Sequence, residues 1–200
     1  MRNNITKALL TVAIMALPAL AEATPWTIDA DPSNMGFSVS HLMVSHVKGN
    51  FNKYTGVVDL NDKDITKSNV NVSIDAASIN TNVQKRDEHL RSADFFDVAK
   101  YPTLTFVSKK WARAAKGALK VTGDLTIHGV TREVVLNVAP FSKESKDPWG
   151  NFRRGTSATT TINRKDYGLV WNQALETGGV AVGEDVNISL EVEMVKSQPK

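Results

Sequence analysis

A chain of 200 residues with 42% hydrophobic residues is long enough for one domain with a sizeable core. Its formal net charge of +3 arises from 24 basic and 21 acidic residues. These charges alternate without a basic run, which excludes the usual electrostatic signature of a nucleic-acid-binding protein. The sequence contains no cysteine, which excludes a disulfide framework and leaves stability to the core.

The N-terminal segment is typical of a secretory signal peptide. Arg2 and Lys7 precede an apolar run, residues 8–20, and small residues that suit signal peptidase follow it. Two small-x-small sites overlap there, and we prefer the second because the chain then leads directly into a strand. The sequence therefore divides into a signal peptide, residues 1–23, and one domain, residues 24–200, with an uncleaved membrane anchor as the alternative. A signal peptide on such a chain suits the periplasm of a Gram-negative bacterium.

Beyond the signal, apolar and polar residues alternate with the period of two that is typical of half-buried strands. Phe37, Val39 and His41 share one face of an early strand, whereas Ser38 and Ser40 share the other. The predicted strands lie within Trp26–Asp29, Met35–His41, Phe51–Leu60, Val70–Asp75, Thr103–Val107, Leu119–Ile127, Val134–Val138, Thr156–Asn163 and Val186–Met194.

Three turns are predicted between these strands. Asp31-Pro32-Ser33 turns the chain after the first strand. His128-Gly129 predicts a hairpin, because glycine accepts the positive φ of a tight turn and histidine tolerates it better than most residues. Asp147-Pro148-Trp149-Gly150 has turn chemistry, with proline where its fixed φ fits.

A helical insertion interrupts the strands between Thr81 and Phe106. Thr81 and Gln84 have the spacing of a capping box, which predicts a helix of about two turns. Ser92 predicts the N-cap of a second short helix, and Pro102 ends it. We expect the insertion to close one end of a sheet or barrel.

Together these elements predict an all-β fold, an antiparallel barrel of eight strands with a short helical insertion. The alternating strands number about eight to nine, and each gives the sheet one apolar face. An eight-stranded barrel is roughly the size that holds one small or slender ligand. A β-sandwich is the alternative architecture.

The sequence lacks the chemical motifs of an enzyme. It has no cysteine nucleophile, no G-x-S-x-G and no H-E-x-x-H. Its four histidines do not have the spacing of a zinc site. We therefore expect a protein that is not an enzyme, with no catalytic residue, no metal and no cofactor.

One block carries a family resemblance. R-D-x-H-L-R-S-A-D-F-F-D occupies residues 86–97, Lys-Tyr-Pro follows at 100–102, and two similar blocks lie at 123–131 and 147–150. On these motifs the chain resembles the YceI-like family of polyisoprenoid-binding proteins, over nearly all of residues 26–194. The resemblance implies an extended, lipocalin-like barrel that holds a long isoprenoid or similar amphiphile, and it also favours the periplasm.

Two sets of side chains are candidates for binding such a ligand. The apolar set suits the lining of a tunnel, although it also suits a packed core. The polar set suits an anionic head group, since arginine matches phosphate geometry; the alternative is that its members pair with one another and with nearby aspartates. The apolar candidates are Phe37, Val39, Phe51, Phe95, Phe96, Phe106, Val121, Leu125 and Ile127, and the polar candidates are His41, Arg86, His89 and Arg91.

With the resemblance, the sequence predicts a periplasmic carrier that holds a polyisoprenoid, a polyprenyl quinone or a fatty amide inside the barrel. Such binding transfers apolar ligand surface from water into protein and needs no catalytic residue. A hydrolase or redox-accessory enzyme on the same barrel, and a ligand-free, stress-induced structural protein, are the alternatives. The expected partner is a lipid, without nucleic acid or stable membrane insertion, and a homodimer is left open.

Overall fold

A closed antiparallel barrel of eight strands forms the framework of the protein in a computed structural model, which describes residues 23–176 and 178–197. The predicted all-β fold with one short helix is confirmed. The predicted signal peptide lies outside the described residues except for Ala23. Within them, the strands are β1 (Thr24–His41), β2 (Ser45–Phe51), β3 (Tyr54–Leu60), β4 (Asn69–Asp75), β5 (Ile79–Asn80), β6 (Thr103–Arg113), β7 (Leu119–Ile127), β8 (Val130–Val138), β9 (Ser145–Lys146), β10 (Phe152–Asn163) and β11 (Val182–Lys196), the α-helix is α1 (Gln84–Arg91), and 3-10 turns lie at Ile65–Lys67, Ala76–Ser78, Ala115–Gly117 and Arg164–Tyr167.

The order of strands around the barrel is β1, β3, β4, β6, β7, β8, β10 and β11, and β11 then pairs with β1. This last pairing runs from Trp26 opposite Lys196 to His41 opposite Val182. It closes the sheet, which removes the open edges that invite aggregation. Outside the barrel, β2 and β5 extend the sheet beside the second half of β1, and β9 pairs with β10.

Strand β1 runs through the position of the turn predicted around Pro32, and that prediction is wrong. Asp29 lies opposite Glu193 on β11, and Asn34 lies opposite Glu191. Four residues of β1 therefore face a single residue of β11, which is a bulge and not a reversal of the chain. A bulge tolerates proline because the missing N–H is not needed for the ladder.

The strand predicted over Phe51–Leu60 is two strands, since β2 ends at Phe51 and β3 begins at Tyr54. The break is held by the loop before β5. The Asn52 amide donates to the carbonyl oxygen of Ser78 at 3.1 Å, and the Lys53 amide donates to its hydroxyl at 3.0 Å. These bonds replace ladder bonds that a continuous strand would make.

The predicted hairpin at His128-Gly129 is confirmed. Ile127 pairs with Val130, and the two residues between them have φ values of 52° and 73°. A second constraint also selects glycine here, because a Cβ on Gly129 would lie 2.5 Å from the Tyr101 ring. The hairpin is thereby packed against the segment that leads from the helical insertion into β6.

The helical insertion contains one helix, α1, and the predicted capping box is wrong. The N-cap residue is Val83, which makes no side-chain cap hydrogen bond. Thr81 lies two residues before the cap position, and its hydroxyl accepts from Arg86 Nε at 2.8 Å and donates to Asp87 at 2.5 Å. The second predicted helix is also wrong: the chain after Ser92 forms turns, and Asp97 adopts a φ of 43°.

Candidate functional site

An apolar cavity lies inside the barrel. Its volume is about 160 Å³. All eight barrel strands contribute to the wall, which contains no charged residue; apart from Gly36 and Thr156, every lining residue has an apolar or aromatic side chain. The arrangement can hold a slender apolar molecule, and it offers no nucleophile or acid–base group for chemistry on it.

The wall follows the alternation of residues along the strands, and β11 shows this most clearly. On β11 the lining residues are Ile188, Leu190, Val192 and Met194, every second residue. The residues between them, such as Glu191, face away from the cavity and are more exposed. Burial of one face of the closed sheet therefore directs these side chains into the interior of the barrel.

One glycine makes room for an aromatic ring of the wall. A Cβ on Gly123 of β7 would lie 2.6 Å from the Phe106 ring and 2.5 Å from the carbonyl oxygen of Val107. The ring of Phe106 therefore lies over the glycine backbone, where any larger residue would displace it.

Six of the nine apolar candidates line the cavity, and three lie elsewhere. Val39 shares the inward phase of Phe37 but lies nearer the end of β1, outside the lining set. Phe95 and Phe96 belong to the insertion, where Phe96 packs edge-on against Phe51 at 5.8 Å between ring centroids. The lining candidates are Phe37, Phe51, Phe106, Val121, Leu125 and Ile127.

Sequence reasoning missed Trp111, because a bulge shifts the phase of β6. Ser108 pairs with Gly123, but Lys110 pairs with the next residue of β7, so Lys109 is the extra residue. Leu104 and Trp111 consequently both line the cavity, although the difference between their positions is odd and an unbroken strand would point them to opposite faces. A period of two, read without the bulge, would point Trp111 outward.

Three of the four polar candidates lie on α1, and none of the four lines the cavity. Arg86 donates from Nε to the Thr81 hydroxyl at 2.8 Å and from Nη2 to the Thr81 carbonyl oxygen at 2.9 Å. Arg91 donates from Nε to the Ala77 carbonyl oxygen at 2.7 Å and from Nη2 to that of Ile79 at 2.8 Å. Both guanidinium groups thus bind the backbone that leads into α1.

Aromatic rings surround the third polar candidate, His89. Its Nε2 lies 3.0 Å from Oδ2 of Asp94. Its ring meets those of Phe95 and Trp171 edge-on, with centroids 5.0 Å and 4.8 Å apart. Phe95 is buried, so this aromatic cluster ties the insertion to the loop before β11. His41, the fourth candidate, lies apart at the end of β1, opposite Val182.

A buried arginine holds the same end of the barrel. Arg164 is 4% exposed and donates to the carbonyl oxygens of Gly183, at 2.8 Å, and of Leu169. Burial lowers the pKa of Arg164, although the charge of Glu184 acts in the opposite direction. Tyr167, one helical turn away, is fully buried, and burial raises its pKa to about 12.

At the other end of the barrel, Arg153 joins β1, β10 and β11. Its Nη1 lies 2.6 Å from carboxylate oxygens of Asp29 and Glu193, and its Nε lies 2.7 Å from Asp147. These carboxylates, Asp147 foremost, raise the pKa of Arg153. The turn predicted at residues 147–150 is confirmed, since the Gly150 amide donates to the Asp147 carbonyl oxygen at 3.0 Å.

Across 23–176 and 178–197, no group of three or more His, Cys, Asp or Glu side chains is arranged to hold a metal ion. No helix in that part of the chain is long and apolar enough to cross a membrane.

Known proteins share both the sequence pattern and the barrel. The YceI-like domain matches residues 26–194. A UPF0312 protein of Vibrio cholerae is 41% identical over 159 residues, which cover 78% of this chain and 84% of that relative. The crystal structure of the Campylobacter jejuni YCEI protein superposes with a TM-score of 0.67 at 34% identity, over 80% of this chain and 90% of that one. A polyisoprenoid binding domain from Saccharophagus degradans, implicated in plant cell wall breakdown, has the same fold, with a TM-score of 0.63 at 19% identity over 86% of this chain and 98% of that one. The domain match and the Vibrio cholerae relative place this chain in the YceI-like family.

Proposed function

We propose that this protein binds and carries a long apolar amphiphile, such as a polyisoprenoid, a polyprenyl quinone or a fatty amide, inside its barrel. The observation that carries the proposal is the apolar cavity, to which every barrel strand contributes and in which no charged residue lies. The description of the Saccharophagus degradans domain as polyisoprenoid binding supports the same ligand class. The signal peptide predicted over residues 1–23 supports a periplasmic location for this carrier.

The driving force of the proposed binding is transfer of hydrocarbon out of water. Each buried CH₂ contributes about 0.8 kcal/mol before the costs of ordering the chain. An empty apolar cavity also forfeits dispersion contacts on every side, so a filled barrel is more stable than an empty one. The affinity therefore depends on the length and shape of the ligand, and no covalent bond is made or broken.

Titration with chains of graded length tests the proposal. Protein stripped of lipid should bind polyprenols with an affinity that rises for each added isoprene unit and then levels off once the cavity is filled. A short alcohol with the same head group but no chain is the control and should not bind. Absence of uptake at every chain length would contradict the carrier function and favour the ligand-free structural role.

A further inference from the structure

The turn between β1 and β2 exposes three consecutive apolar side chains. Leu42, Met43 and Val44 form this tip, and they are 41%, 65% and 84% exposed. The other large apolar side chains that are exposed in residues 23–176 and 178–197 stand apart from one another in sequence. β2 pairs with β5 at Asn50 and Phe51, and the tip lies about 20 Å further along the strand. Single exposed apolar residues are ordinary, but a contiguous group points to an interaction site.

The backbone of the tip does not favour the residues that occupy it. Leu42 and Met43 have φ values of 52° and 62°. Hairpin turns with two consecutive positive φ values normally contain asparagine and glycine, because bulky side chains are disfavoured there. The hairpin between β7 and β8 follows this preference with Gly129. Neither burial nor turn propensity therefore accounts for leucine and methionine at the tip, and this points to a role in binding.

The neighbouring loop braces the tip in its exposed position. The Leu42 amide donates to the carbonyl oxygen of Ala181 at 2.8 Å. Met43 packs on Gly179, where an added Cβ would lie 3.1 Å from Met43 Cγ. These contacts fix the backbone of the turn, so the apolar side chains are presented to a partner without a rearrangement.

The chain around the tip lacks acidic residues, lysine and arginine over a distance that suits a lipid interface. Residues 38–47 contain none of them, and Lys48 is the first. Residues 178–183 of the adjoining loop also contain none, although Glu176 lies just before them. The strand from Val44 to Lys48 spans about 13 Å, whereas an interfacial apolar element sinks about 5–10 Å into the headgroup region. The tip can therefore enter that region without dehydrating a lysine, an arginine or a carboxylate of its own hairpin.

The size and shape of the tip favour a bilayer over a protein partner. A stable protein interface buries about 800 Å² on each partner, which is far more than three side chains of a narrow turn offer. A bilayer is fluid, so it closes around a convex apolar element without a complementary groove.

We propose that the protein docks reversibly on the surface of a lipid bilayer through the tip, Leu42–Val44. The end of the barrel that carries α1 then faces the lipid, because β1 ends there opposite the start of β11. The inference goes beyond the proposed function, which requires a source of lipid but does not specify the surface of the protein that meets it.

Replacement of the tip by a favourable turn sequence tests this inference. Leu42→Asn with Met43→Gly supplies residues that accept both positive φ values, so the urea midpoint of the variant should equal or exceed that of the wild type. Binding to vesicles of phosphatidylethanolamine and phosphatidylglycerol should weaken about tenfold or more, because each CH₂ withdrawn from an apolar medium changes partitioning about fourfold. Trp149→Ser is the matched control, since Trp149 is 81% exposed at the opposite end of the barrel, and it should bind vesicles as the wild type does.

Two results of this comparison would overturn the inference. One is a wild-type protein that does not bind vesicles, or that binds them no better than the tip variant. The other is a wild-type dimer that dissociates in the tip variant without any vesicle binding, which would assign the tip to a second copy of the chain.

A fluorescent label gives a second readout, which is specific because the chain contains no cysteine. An environment-sensitive dye on Val44→Cys should shift its emission to the blue when vesicles are added, whereas the same dye on Trp149→Cys should not. The opposite pattern would place the docking surface at the other end of the barrel and overturn the inference. Uptake of polyprenol by the cavity is measured separately, so a failure of docking leaves the carrier function standing.

Discussion

Val121 is the residue at which a filled cavity and a solid core are best distinguished. It is 1% exposed and lines the cavity in the middle of β7. Val121→Trp should place an indole in the ligand space and weaken polyprenol binding on the order of tenfold or more, with little loss of stability. In a solid core the same change would overpack and destabilise by about 1–3 kcal/mol.

Binding titration and urea unfolding of the Val121→Trp variant give the two readouts. Val135→Trp is the matched control, since Val135 lies on the neighbouring strand β8 with its side chain 41% exposed. It should bind polyprenol as the wild type does. Unchanged binding in Val121→Trp together with marked destabilisation would mean that the interior is a packed core.

Because of Asp147, the stability of the fold should depend on pH in the acid range. Burial raises the pKa of its carboxyl group, but hydrogen bonds from Arg153 and Asn151 outweigh that effect and lower it from 3.8 to about 2. A depressed pKa stabilises the fold at pH values above 3.8, and this contribution is lost as pH falls toward 2. Asp147→Asn should therefore be less stable than the wild type at pH 6, and the difference should shrink between pH 4 and pH 2.

Urea midpoints measured at pH 6, 4, 3 and 2 check this expectation. The surface control is Asp185→Asn, which removes an exposed carboxylate on β11. A difference between Asp147→Asn and wild type that stays constant down to pH 2 would show that the ionised carboxylate of Asp147 does not contribute to stability.

At the scale of elements, arginine hydrogen bonds to three backbone carbonyl oxygens and to the Thr81 hydroxyl hold the segment before α1 against the helix. Replacing both Arg86 and Arg91 with Gln should lower the free energy of unfolding by roughly 1–3 kcal/mol, because four bonds from charged donors are lost at partly exposed positions. Neither arginine lines the cavity, so binding of a polyprenyl phosphate and of an uncharged polyprenol should change equally.

Chemical denaturation and paired ligand titrations measure these two effects. Lys85→Gln, on the exposed side of α1, is the control and should change neither. A loss that is confined to the phosphorylated ligand would instead assign these arginines to a head-group site.

The local sequence pattern predicted where most strands lie and which of their residues face inward. It did not predict the register between strands or the hydrogen-bond partners of individual side chains. Alternation placed Val121, Leu125 and Ile127 on the inward face because a sheet buries one face. It failed at Trp111, since the bulge at Lys109 depends on the register with β7. The capping box failed because the helix is capped at Val83, and the Thr81 hydroxyl bonds instead to Arg86 and Asp87 of the same helix. The register depends on the neighbouring strand, and a hydroxyl with several possible local partners has no single predicted one, so the sequence pattern reveals neither.

At the scale of the whole molecule, the number of predicted strands indicated a barrel. Closure of the barrel depends on a contact between its first strand, β1, and its last strand, β11. β1 and β11 pair on both sides of the bulge at Pro32. A bound ligand should stabilise this closed state, because whatever binds only the folded barrel raises its stability by mass action. The melting temperature should therefore rise with polyprenol concentration, as differential scanning fluorimetry would record. A melting temperature unaffected by saturating polyprenol would argue against binding to the folded barrel.

The composition of the protein as purified from its host tests the central claim most directly. An apolar cavity of about 160 Å³ should not remain empty in a cell rich in lipid. Organic extraction of the purified protein followed by mass spectrometry should release one long apolar molecule in near-stoichiometric amount. If denatured protein releases nothing, and native protein also fails to take up added polyprenyl chains, the interior is a packed core and the carrier account is wrong.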